Sequence, residues 1–143
     1  MQKRTILSLR PTASCPLKIQ PDRSEGVNTI TRHDPSSIWV GAVSFAHSLL
    51  VPWQGEVQRW APARIEELQA AHFDQALSLR PELVIFGSGP RHRFIAPALQ
   101  RGLIERGIGV ETMDTAAACR TYNVLASEGR AVLAALLLDP SSA

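Results

Sequence analysis

The segment that most constrains this chain is Leu83-Val84-Ile85-Phe86, four apolar residues in a row that run into Gly87-Ser88-Gly89. A strand without polar alternation is expected where both faces of a sheet are covered, so this one belongs inside a layered structure. The residues after it repeat the theme. Pro97 suits the first turn of a helix, and Ile95, Leu99, Leu103 and Arg106 form one stripe before Gly107, so a helix is expected over residues 96–106. Ile108 to Met113 supplies a second strand, and Asp114-Thr115 an N-cap for a helix from Ala116 to Ser127 that Gly129 ends. Val132 to Leu138 reads as a last buried strand, with a continued helix as the lesser alternative. Strands alternating with helices in this way predict a partly parallel sheet with right-handed crossovers.

Upstream the pattern is shorter and β-like. Thr29-Ile30-Thr31 alternates, Ile38-Trp39-Val40 and Val43-Ser44-Phe45 flank Gly41-Ala42, and Ser48-Leu49-Leu50-Val51 comes next. Gly41 stands at the first central position of a two-residue type II′ turn, where φ must be positive. A β-meander is expected, either extending the later sheet or lying beside it. After a turn at Pro52–Gly55, Glu56 to Trp60 reads as a half-exposed strand. Helical spacing from Ile65 to Leu79 predicts one broken or two short helices. Residues 1–23, with Pro11, Pro16 and Pro21, read as a flexible arm with a short strand at Leu17-Lys18-Ile19, and residues 24–143 as one domain. The class is α/β with a mixed sheet, a β-meander in the first half and β-α-β-α-β in the second.

Composition narrows the functional classes. A net charge of +2 on 143 residues gives no general attraction to nucleic acid or membranes. Cys15 and Cys119 lie far apart, outside any zinc or redox spacing, which fits a reduced, cytosolic protein without metal or cofactor. Thr5 to Leu9 is too short and polar for a signal peptide core, and no run approaches the roughly 20 apolar residues of a membrane span.

Several strings together resemble a known family. They are Pro81 to Gly89, Arg91-His92-Arg93-Phe94, Arg106 to Glu111, Met113-Asp114-Thr115, and Ala118 to Leu125 with Glu128-Gly129-Arg130. Gly26 to Ile30 and His47 to Val51 extend the likeness over residues 24 to 138. In that order they resemble the Mth938-like domain family, a domain of unknown function that includes mitochondrial respiratory complex I assembly factor 3. The resemblance implies a single three-layer domain with a mixed β-sheet. For the mitochondrial relative it implies a non-catalytic assembly role with protein partners.

The residues themselves offer three candidate chemistries. Gly87-Ser88-Gly89 lacks the third glycine of a dinucleotide fingerprint, and Phe86 and Pro90 stand where a nucleophile elbow needs glycine. It is expected as a tight turn whose amides could still meet a ligand. Beside it Arg91, His92 and Arg93, with Arg101 and Arg106 beyond, form the densest positive cluster, suited to a small anion or an acidic partner. Cys119, Tyr122 and Asn123 share a face of the last helix and could border a small reactive pocket near the bend, although buried packing is the stronger reading. His33, His47 and His72 are isolated, and Trp53 and Trp60 are placed either in the core or in an exposed apolar patch.

The expectation is therefore a non-enzymatic interaction or assembly protein that meets a protein partner through Gly87, Ser88, Gly89, Arg91 and Arg93. The alternative is a small-molecule or anion-binding protein, or an enzyme, using a pocket between the glycine bend and Cys119, Tyr122 and Asn123. A homodimer joined at a strand edge or apolar patch is a third organisation.

Overall fold

The computed structural model describes residues 26–140. The arm, the strand expected at Leu17–Ile19 and Cys15 lie outside the described residues. In chain order the elements are β1 (Ile30–Asp34), β2 (Ser37–Val40), β3 (Val43–Phe45), β4 (Leu49–Pro52), β5 (Gln58–Arg59), a 3-10 turn at Ile65–Glu67, and α1 (Ala70–Leu77). Next come β6 (Leu83–Gly87), a 3-10 turn at Pro97–Gln100, α2 (Arg101–Glu105), β7 (Gly109–Met113), α3 (Thr115–Ser127) and β8 (Val132–Leu136).

Two sheets form among the described residues. One has the order β5-β4-β8-β6-β7, with β6 parallel to both β7 and β8, and β4 antiparallel to β8 and β5. The sheet is mixed, and the apolar Leu83–Phe86 segment sits inside it as expected. The other is the antiparallel meander β1-β2-β3, which lies beside the main sheet. Its β2–β3 turn has φ +60° at Gly41 and a Val40–Val43 closing pair, the geometry anticipated for a glycine-led hairpin. The fourth strand leaves the meander because Leu49, Leu50 and Val51 are all fully buried, which needs cover on both faces.

Side-chain alternation divides the core in two. Leu49, Val51, Ile85, Ala134 and Leu136 face α3 and the meander, where Ala118, Cys119, Tyr122 and Ile38 meet them. Leu50, Val84, Phe86, Leu133 and Ala135 face the other way, toward Trp60, Phe73 of α1 and Leu103 of α2. The layers are thus α1 and α2, the main sheet, and α3 with the meander. Tyr122 ties the third layer down: its hydroxyl lies 2.8 Å from the part-buried Asn28 carbonyl oxygen and 3.2 Å from the buried one of Pro52, its hydrogen shared between the two acceptors. Asn123 accepts from the Ile30 amide at 2.9 Å and donates to the Ile30 carbonyl at 2.8 Å, occupying the backbone of β1 where a further strand would pair.

Three elements differ from expectation or test it closely. The helix over residues 96–106 is a 3-10 turn followed by five α-helical residues. Pro97 begins it without needing an amide donor, and Gly102 allows contact with Asp74 and Leu77 of α1 at 3.7 and 3.9 Å from where a Cβ would stand. The strand at Glu56–Trp60 shrinks to two residues because Trp60 is 1% exposed, its indole packed edge-on to Phe73 and Phe86 and donating to the His72 carbonyl. Trp60 is therefore core, not part of an exposed patch. Near the chain's middle, by contrast, the broken helix appears as foreseen, a 3-10 turn and then α1.

The tightest approach of α3 to the sheet is at β6. A Cβ added at Gly87 would lie 2.9 Å from Thr115 Cα and 3.1 Å from Ala118 Cβ, both on the main body of α3. The expected effect of Gly87→Ala is a loss of about 2–3 kcal/mol of stability from overpacking. A lower urea midpoint at an unchanged slope would register it; an unchanged midpoint would contradict the contact.

Candidate functional site

A cavity of ≈ 470 Å³ opens at the carboxyl ends of β6 and β8. Its walls come from the turn at His33–Pro35, the bend at Gly89 and Pro90, the start of α3 at Asp114–Ala116, and the run beyond β8 at Leu137–Asp139. This is the place where an open parallel sheet forms a crevice: the connection from β6 to β7 crosses on the α2 face, and the return through α3 crosses on the other.

The bend that borders the cavity is held from within. The Ser88 amide donates to the Met113 carbonyl at 2.8 Å, and the Gly89 amide to Thr115 Oγ1 at 2.9 Å. The Thr115 hydroxyl donates in turn to the Leu137 carbonyl at 2.9 Å. Ser88 Oγ lies 2.6 Å from the Arg91 carbonyl oxygen and 3.1 Å from that of Met113, and accepts from the Arg93 amide at 2.9 Å. The serine is thus a buried organiser of the adjoining loop. Gly89, at φ +104°, turns the chain in a conformation that side-chain-bearing residues rarely adopt.

Of the anticipated binding residues, only Gly89 lines the cavity. The expected anion cradle does not form, because the amides of Ser88 and Gly89 are already taken and Arg93 binds Glu66 at 2.7 Å. That guanidinium holds the Glu66 carboxyl below its usual range. Arg91 and His92 are exposed on the loop, and Arg101 and Arg106 are exposed on and just after α2. The loop ends in Phe94, which is 78% exposed and meets the His92 ring at a 52° tilt with ring centroids 4.6 Å apart. His92 also meets Thr112 of β7 at 3.2 Å.

For Cys119, Tyr122 and Asn123 the structure agrees with buried packing, the stronger of the two expectations, and not with a reactive pocket. They do share one face of α3, but that face is directed into the core and the meander. Cys119 is 1% exposed, and burial pushes its thiol up to about 12, opposed only in part by Arg120. Burial likewise raises the Tyr122 phenol. At neutral pH burial holds both groups in their protonated forms.

The residues missed from the sequence are carboxylates. Asp34 Oδ1 accepts from the amides of Ser36 and Ser37, both at 2.9 Å, and the Ser36 amide is the main cause of its lowered pKa. Asp114 caps α3 by accepting from the Ala117 amide at 2.8 Å, as anticipated, and also faces the cavity. Asp139 lies 3.8 Å from Arg64. Asp34-Pro35-Ser36-Ser37 carried the signal of a side-chain-closed turn, but nothing in it disclosed that the turn would meet the end of β8.

Residues 30–137 match a family model described as protein of unknown function (DUF498/DUF598). The chain belongs to this family, the Mth938-like domains. A crystal structure of a Bordetella parapertussis protein, 39% identical, superimposes with a TM-score of 0.76 over 82% of this chain and 100% of that one. A Mth938-like domain from Bordetella pertussis, 32% identical, gives 0.74 over 86% and 93%. Among named relatives, the Bos taurus NADH dehydrogenase (ubiquinone) 1 alpha subcomplex assembly factor 3 is 31% identical over 127 residues, 80% of this chain and 68% of that protein. Relatives of the same name in other vertebrates are spanned over about half their length.

Burial of Cys119 in this Mth938-like core has two measurable outcomes. In a Cys15→Ser background the Cys119 thiol is expected to resist a maleimide at about pH 7.5 and to react fully once urea unfolds the chain; rapid native labelling of that variant would contradict its burial. Because its folded pKa is raised from an ordinary value of 9.0 to about 12, its contribution to stability is complete below about 9 and declines as pH rises toward 12. The urea midpoint of the wild type should therefore fall more steeply over that window than that of Cys119→Ala.

Proposed function

We propose that this Mth938-like protein is a non-enzymatic interaction protein that supports the assembly of a respiratory complex, and that it acts in the cytoplasm. The carrying observation is Phe94, a large apolar side chain 78% exposed on a loop that Ser88 anchors, with Arg91 beside it and the cavity at its base. An aromatic and an arginine standing out from a braced backbone are the residue types that anchor protein interfaces. The name of the Bos taurus relative supports the same reading. An enzyme built on Cys119 finds no support, since that thiol lies in the core, away from the cavity walls.

Deleting the gene in the native host should lower both NADH-driven quinone reduction in isolated membranes and the amount of assembled complex on native gels. The wild-type gene should restore both, and Phe94→Asp, if it accumulates as folded protein, should not. A deletion strain with a full complement of complex would overturn the proposal.

A further inference from the structure

The cavity differs in character from the arginine-rich loop that rises beside it. Its apolar lining includes Pro35, Pro90, Leu137 and Leu138, while Asp34, Asp114 and Asp139 are its acidic residues, His33 is its one histidine and, among the described residues, no lysine or arginine lines it. Arg64, against Asp139, offsets one of these charges from outside. The amino end of α3 does not favour an anion here: the Thr115 amide donates to the Gly89 carbonyl, and the Asp114 side chain takes the Ala117 amide. Among the described residues no three of His, Cys, Asp and Glu are grouped closely enough to hold a metal ion, so the acidic groups are spread around a larger volume. At ≈ 470 Å³ that volume is in the range of ligand pockets and admits one or two side chains.

We infer that the cavity is a docking site for a cationic side chain on an apolar stem, namely a lysine or arginine flanked by aliphatic residues in a segment of a partner protein. The stem lies over Leu137 and Pro90, and the charge reaches Asp34 and Asp114, whose carboxylates are oriented in advance by the turn and the helix cap. Complementary charge supplies the selectivity, because an acidic segment in the same place would meet the carboxylates of Asp34 and Asp114. The inference rests on the interaction role proposed for the protein and adds the chemistry of the segment recognised.

The test is a titration of the ¹⁵N-labelled full chain with the peptide acetyl-Leu-Arg-Leu-Lys-Leu-amide and with its counterpart carrying glutamate at both charged positions. The basic peptide should shift the amide signals of Gly89, Thr115, Ala116 and Leu138, and the acidic one should not. Asp34→Asn combined with Asp114→Asn keeps an acceptor at the turn and at the cap, and should weaken the basic peptide about tenfold. If that variant misfolds, raising the salt on the wild type should produce weakening of the same kind. Absence of shifts at about 5 mM basic peptide, or equal shifts with both peptides, would overturn the inference. An intact respiratory complex in the deletion strain, with the basic peptide still seated in the cavity, would remove the assembly reading and leave the ligand class standing. A defective complex with no peptide binding would do the reverse.

Discussion

The fold depends on how closely α3 lies against β6. With a hydrogen at Gly87 in place of a methyl, Thr115 can sit directly on the strand end. From there its hydroxyl joins the Gly89 amide to the Leu137 carbonyl, and its own amide reaches the Gly89 carbonyl. One side chain thereby links the bend after β6, the start of α3 and the run-out of β8. These segments make up most of the cavity wall, so the site is a consequence of a packing constraint in the core.

The other end of α3's buried stripe performs a different task. Tyr122 and Asn123 answer the backbone of Asn28, Ile30 and Pro52, holding the meander to the main sheet through polar groups that would otherwise be costly to bury. Cys119, between the two ends, is enclosed by both. The thiol, phenol and amide on one helical face left a reactive pocket open as the weaker alternative to packing, because spacing reports which residues share a face. It does not report what that face meets.

The loop from Ser88 to Phe94 has both qualities that a docking surface needs. Its base is rigid, since the Ser88 hydroxyl bridges turns of its own backbone, and its tip is open, since Phe94 and Arg91 have little cover. Of the positive cluster read from the sequence, Arg93 pairs with Glu66, and Arg91, Arg101 and Arg106 are exposed. The cavity with its acidic residues and the loop that carries Arg91 adjoin at Pro90.

Much of the architecture was legible in residue order. Local rules act over a few residues, and Leu83–Phe86, the Gly41 turn, the Asp114 cap and the buried Val132 run obey them. The broken helix before β6 was legible for the same reason. The full extent of the Pro97 helix and of the Glu56–Trp60 strand was not, and in the strand the burial of Trp60 is a tertiary contact that overrides local preference. By itself the sequence determined the α/β class, the alternation of elements and the family. Only the tertiary structure decided that Asp34, Asp114 and Asp139, far apart along the chain, border one cavity while Cys119 does not, since convergence of distant side chains depends on which sheet edges and helix faces meet.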